Sequence, residues 1–167
     1  GVVPLCSALM NTSAPVLAVG KGDTVFLAFI QYTCLPQGVG TLMCARFPSD
    51  KFDYAHVIVD TLYAYPASGS PTITVDSKNS VHIAWRYNDD IYWTQRNANG
   101  TWKATANISY SSGVVSQNPS LANYGDVHIV WQEGNDIYHN KGNWGLPLAY
   151  KSKIIDKRFS WQGAENV

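Results

Sequence analysis

Charge is scarce in this chain. Lys, Arg, Asp and Glu make up 14% of its 167 residues, and the twelve cations balance the twelve acids. No net field is therefore available to hold nucleic acid or an anionic membrane surface. No apolar run approaches the roughly 18 residues of a membrane span, so membrane insertion is not expected. Motifs with built-in chemistry are missing as well. The sequence has no HExxH, paired CxxC or EF-hand-like loop, no G-x-S-x-G elbow, and no Cys set beside a His. Neither a metal nor any other cofactor is expected, and nucleophilic catalysis has no visible carrier. An amphipathic helix is lacking too, because Pro, Gly and β-branched residues punctuate the chain too often. A basic-then-apolar leader is absent at Gly1, which reads as a removed signal or as excision from a larger protein.

What is present is a β pattern that recurs. Residues 70–102, SPTITVDSKNSVHIAWRYNDDIYWTQRNANGTW, contain three strands and the start of a fourth. Ile73 and Val75 alternate with threonines, and 76–80 is a turn cluster. Val81, Ile83 and Trp85 share one face of a strand with His82, Ala84 and Arg86 on the other. Residues 88–90 turn, 91–95 form the third strand, and 97–100 turn again before Trp102. Residues 118–143 repeat the order: Pro119 matches Pro71, Val127–Trp131 matches Val81–Trp85, Asp136-Ile137-Tyr138 matches Asp90-Ile91-Tyr92, and Trp144 matches Trp102. Residues 14–30 match upstream, with Pro15 for Pro71 and Val25–Phe29 for Val81–Trp85; Leu42-Met43-Cys44 supplies the third strand after a longer loop. Self-similarity at this period, with four short strands per unit, is the signature of propeller blades.

The expectation is one all-β domain over 1–167: a β-propeller-type fold of about three four-stranded antiparallel blades. Blade one covers 13–60, blade two 70–110 and blade three 118–150, with 151–167 a terminal segment. Residues 54–59 are read as the fourth strand of blade one, and 62–68 as its connection to blade two. Residues 103–109 are read as the outer strand of blade two. Residues 26–30 are apolar on both faces, as in a strand buried on both sides. Phe29, Trp85 and Trp131 are expected to be equivalent buried aromatics, and His82 and His128 to pack between blades. Residues 1–10 have the look of a strand from a neighbouring blade. Residues 150–158 are locally basic through Lys151, Lys153, Lys157 and Arg158, read as a docking tail or a solvated terminus.

The S-P-x-I-x-V-D, V-H-x-x-W and D-I-Y segments resemble the BNR or Asp-box, sialidase-like β-propeller repeats of secreted proteins. Asn97–Trp102 resembles a degenerate Asp-box that keeps the Gly and the Trp but has Asn for Asp, and residues 141–144 are a weaker trace. The resemblance implies a fold that hosts many activities. Sialidases of this kind need three arginines around the substrate carboxylate and an Arg-Ile-Pro motif. This chain has only Arg46, Arg86, Arg96 and Arg158 and no Arg-Ile-Pro, so hydrolysis of sialosides or aryl glycosides by it is not expected.

Polar residues that suit a ligand gather between the second and third strands. Arg86, Tyr87 and Asp90 in one blade and Glu133 and Asp136 in the next supply carboxylates, a cation and an aromatic for sugar hydroxyls or a polar protein surface. The plain alternative is that Asp90 and Asp136 cap turns. The expected function is non-catalytic recognition of a glycan or protein by an extracellular or surface-displayed propeller segment. Two alternatives stand beside it: part of a sialidase-like glycoside hydrolase whose catalytic residues lie on other blades, or a structural element of a surface layer or filament. The expected partners of such an arc are the remaining blades of a larger protein or a second copy of the chain. Three cysteines leave one over: Cys34 and Cys44 either form a disulfide across a loop or are two buried thiols, and Cys6 is the odd one. Sequons at Asn11, Asn99 and Asn107 lean towards glycosylation and an extracellular location.

Overall fold

The structure, a computed structural model, describes residues 12–32, 40–51, 58–67, 69–142 and 152–155, with backbone alone for 12–13, 58–67 and 155. Among the described residues twelve strands form three antiparallel sheets, each taken in chain order. The first holds β1 (Thr12–Val19), β2 (Thr24–Tyr32), β3 (Gly40–Pro48) and β4 (Ile58–Ala67). The second holds β5 (Thr72–Val75), β6 (Val81–Tyr87), β7 (Asp90–Arg96) and β8 (Ala106–Asn107). The third holds β9 (Ser116–Tyr124), β10 (Asp126–Glu133), β11 (Asp136–Lys141) and β12 (Ser152–Ile155). The first strands of the sheets, β1, β5 and β9, lie beside one another. Thr72 Oγ1 accepts from the Leu121 N–H at 3.1 Å, and Asn123 Nδ2 donates to the Val75 carbonyl at 3.1 Å.

The registers of the three sheets coincide. Leu17 pairs with Leu27, Ile73 with Ile83 and Leu121 with Ile129, each between the first and second strand. Because side chains alternate, these pairs fix which face each strand turns to its neighbour. Val81, Ile83 and Trp85 pack against Phe26, Ala28, Ile30, Leu42 and Cys44 of the first sheet. Val127, Ile129 and Trp131 pack in the same sense against Ala84, Ile91, Trp93 and Ile108 of the second. The D-I-Y triplets find their reason here. Tyr92 lies opposite Trp85 and Tyr138 opposite Trp131, with ring centroids 6.2 and 6.0 Å apart.

Several sequence expectations need correction. Residues 62–67 belong to strand β4 rather than to a connection, while 54–57 lie outside the described residues. The outer strand of the second sheet shrinks to Ala106–Asn107, because Trp102 makes only an isolated bridge to Arg96. Ser152–Ile155, read as a terminal segment, is the outer strand of the third sheet. Phe29 is half-buried, whereas Trp85 and Trp131 are each 1% exposed. The reason is that Phe29 stands on the face of the first sheet away from the second, whereas Phe26, Ala28 and Ile30 face it. β6 is buried on both faces, even with His82 in it, and so is the middle of β3 at residues 42–45, whereas β2 alternates. Cys44 is buried in the core, and Cys6 and Cys34 lie outside the described residues, as do Asn11, Trp144, Lys151, Lys157 and Arg158.

Candidate functional site

Both ends of the joint between the second and third sheets open into a cleft. At one end the starts of β5 and β9 spread apart around a space of about 290 Å3, lined by Gly69, Ser70, Pro71, Arg86, Gln117, Asn118 and Pro119. Arg86 is set there by strand alternation at the end of β6. Its Nε donates to the Asn88 carbonyl at 2.6 Å and its Nη2 to Asp89 Oδ1 at 3.2 Å. These bonds hold the guanidinium at the mouth while leaving it partly exposed.

The β6–β7 and β10–β11 turns sit at this same end, bound to the segment that joins β8 to β9. The Ser116 N–H donates to the Asp89 carbonyl at 2.8 Å, and the Gly134 N–H to the Val115 carbonyl at 3.0 Å. Asn118 reaches Gln132 at 3.4 Å, and Gln132 Nε2 donates to the Gly134 carbonyl at 2.7 Å. Tyr110, Val114 and Val115 on the joining segment are exposed. The five residues singled out from sequence thus share one end of the molecule, but of them only Arg86 lines the cleft. Tyr87 is half-buried with its ring 5.7 Å from Tyr92. Both oxygens of Asp90 are occupied: Oδ2 accepts from Asn107 Nδ2, and Oδ1 from Ser109 Oγ and the Ser111 N–H, each at 2.8 Å. Glu133 Oε2 accepts from Trp131 Nε1 at 3.3 Å, and Asp136 pairs with Lys153 at 2.7 Å.

The opposite end holds a cleft that the sequence reading missed. The turn between first and second strands spans 76–80 in the second sheet and 124–126 in the third, two residues fewer. Gly125, at φ 75°, makes that shorter turn in a backbone region open to glycine. The shortfall leaves a space of about 220 Å3 whose wall includes Asp76, Ser80, His82, Trp93, Gln95, Lys103 and Asp126. In the first sheet the same turn closes up instead. Asn79 Oδ1 accepts from the Lys21 N–H at 2.8 Å, and a Cβ on Gly20 would lie 2.6 Å from that oxygen.

Asp76 organises the 220 Å3 cleft. Its Oδ1 accepts from the N–H groups of Lys78 and Ser80, and its Oδ2 lies 3.2 Å from His82 Nε2. Burial pushes the His82 imidazole below the ordinary histidine range; the Asp76 carboxylate opposes that and Lys103 adds to it. His82 is therefore neutral at pH 7, and the carboxylate selects the tautomer with the proton on Nε2. Burial works to raise the Asp76 carboxyl, but the bonds from Ser80, His82 and Lys78 outweigh it and hold the group below its usual value. The His82 ring stacks on Trp93 at 5.9 Å, and Lys103 Nζ sits 5.9 Å over the same indole. The signal for this cleft in the sequence was an Asp and a His flanking a turn that is shorter in the next repeat.

His128 does not lie between sheets. It stands on the outer face of the third sheet, its Nδ1 3.0 Å from His139 Nε2, so one nitrogen donates and the other accepts. Burial and the neighbouring His128 and Lys141 push His139 below the ordinary histidine range. His82 and His139 fix a pH dependence. A histidine whose folded value lies below its unfolded value of 6.5 contributes stability above pH 6.5 that is lost as pH falls through the folded value. Thermal midpoints should therefore drop between pH 7 and 5, and His82→Gln should flatten that slope. Equal midpoints at pH 7 and 5 in the unaltered chain would contradict the assignment.

Among the described residues no group of three or more His, Cys, Asp or Glu is placed to hold a metal ion, and no helix is long and apolar enough to cross a membrane. Of the sequons, Asn99 is exposed at the 97–100 turn with its Oδ1 accepting from Thr101 N and Oγ1. Asn107 is engaged at both ends of its amide, donating to Asp90 and accepting from the Tyr110 N–H at 2.9 Å. Compared with known proteins, the chain matches no protein-family model and no curated protein.

Proposed function

We propose that the three sheets are blades of a secreted or surface-displayed β-propeller, and that the end carrying Arg86 recognises a glycan without turning it over. The observation that carries this reading is the 290 Å3 cleft between the starts of β5 and β9, which Arg86 lines together with Gln117, Asn118 and two prolines. Ligand cavities run from about 300 to 1,000 Å3, so this one suits a single sugar ring with its hydroxyls or carboxylate directed at Arg86. A guanidinium supplies donors only and two amides supply both donors and acceptors, the complement that sugar hydroxyls need. The resemblance to Asp-box repeats supports the propeller part of the reading, as does the matching of the two joints within the chain. A protein surface is the second reading, favoured by the exposed Tyr110, Val114 and Val115 on the adjoining segment.

A glycan array identifies the ligand, and titration of variants tests the site. Arg86→Ala should weaken binding about ten- to a hundredfold, the worth of a hydrogen bond to a charged group. Asp136→Ala, whose carboxylate pairs with Lys153 away from the cleft, should leave affinity within twofold or so. Affinity unchanged in both Arg86→Ala and Asn118→Ala would place the ligand elsewhere.

A further inference from the structure

On the first sheet, the face that the second and third sheets bury is exposed along β1, while Met43 and Ala45 of β3 on that same face are buried. Leu17 and Val19 of β1 are 65% and 61% exposed. Their register equivalents in the second sheet are Ile73, 8% exposed, and Val75, packed at the edge of the same core. Their equivalents in the third are Leu121, packed into the joint, and Asn123, bonded across it. On the second strands, Val25, Leu27 and Phe29 stand where Val81, Ile83 and Trp85 stand, and where Val127, Ile129 and Trp131 stand.

The third sheet is open on the opposite face, again at positions the second sheet covers. Ala84, Ile91 and Trp93 are sealed beneath the third sheet. Val130, Ile137 and His139 hold the same register positions on β10 and β11, and each remains half-buried. Ala122 and Tyr124 on β9 are exposed on that face. Among the described residues, one molecule thus carries a partly exposed acceptor face and a partly exposed donor face of one kind of joint, a joint it already makes twice internally.

We infer that the β1–β2 side of this face of the first sheet, around Leu17, Val19, Leu27 and Phe29, docks the outer face of the third sheet of a second copy of this chain. The contact is head-to-tail, with unlike faces meeting. Two such contacts between two copies close a ring of six sheets, within the about four to eight blades of closed propellers. The apolar residues left bare on each molecule are then covered, as exposed apolar patches on soluble proteins usually are. This rests on the joints inside the chain and not on the glycan reading, so mass reports on one and affinity on the other.

Light scattering on the unaltered chain should give twice the mass of one chain. Leu17→Asp and Ala122→Asp both fall at exposed first-strand positions that the fold of the single chain does not need. Each should give a monomer with an unchanged circular-dichroism spectrum. Mixing the two variants should restore a species of dimer mass, because one keeps its donor face and the other its acceptor face. A stable monomer of the unaltered chain overturns the inference. So does a dimer that survives Leu17→Asp, or one that Leu17→Asp abolishes and Ala122→Asp leaves intact, since that would join like faces. Should either variant lose its strand spectrum, Val19→Lys and Tyr124→Lys make the same test at equally exposed positions.

Discussion

Truncating Trp85 or Trp131 to Ala should each destabilise the protein by about 3–5 kcal/mol, while Phe29→Ala should cost clearly less. The two tryptophans are sealed in the joints on either side of the middle sheet, and each stacks with the Tyr of its own D-I-Y triplet. Removing either indole leaves a void lined by strands that hydrogen bonding holds in place, so little collapse can offset the loss. Phe29 occupies the equivalent register with one side toward solvent, and its deletion leaves less of a cavity. Urea unfolding of the three variants measures the differences directly. Equal losses at Phe29 and Trp85 would mean that the first sheet's outer face is as well covered as the internal joints.

The second large effect is expected at Asp90. Asp90→Ala should cost about 3 kcal/mol of stability, because one carboxylate satisfies Asn107, Ser109 and the Ser111 N–H together. Ser109 is fully buried and also holds the Ile91 N–H at 2.9 Å, so its hydroxyl cannot turn to water once the acceptor is gone. Asp136→Ala, at the matching triplet of the third sheet, removes a lysine ion pair and should cost within about 1 kcal/mol. Chemical denaturation of the two alanine variants distinguishes these roles. A near-neutral Asp90→Ala would show that the clasp has no energetic weight.

The strands that sequence revealed best are those with period-two alternation between turn clusters. Val81–Tyr87 is bounded by residues that turn for local reasons: Asp76 accepts from Lys78 and Ser80, and Asn88 takes a positive φ. The outer strands were less legible because they have a partner on one side only and carry little pattern of their own. β4 contains Pro66, and β12 is the short Ser152–Ile155 within a run of lysines. Burial on both faces cannot be read from one strand's own residues. β2 is the more apolar sequence, yet it alternates while β6 and the middle of β3 are enclosed on both sides, because the neighbours packed over each strand along the row of sheets decide it. The same holds for the sites. Arg86 was visible as a charge at a strand end, whereas the Asp76–His82 cleft exists only because a neighbouring sheet turns two residues sooner.

That row has a middle and two ends, and the difference is energetic. The second sheet is gripped through Val81, Ile83 and Trp85 on one side and through Ala84, Ile91 and Trp93 on the other, whereas among the described residues the first and third sheets are each gripped by one joint. Where stability is a sum over neighbouring units, shedding an end unit breaks one joint and shedding the centre breaks both. Opening of the single chain therefore proceeds inward from its ends, and damage at the two joints divides it differently. Loss of Trp131 frees the third sheet from a surviving pair, while loss of Trp85 strands the first sheet and leaves the second and third together.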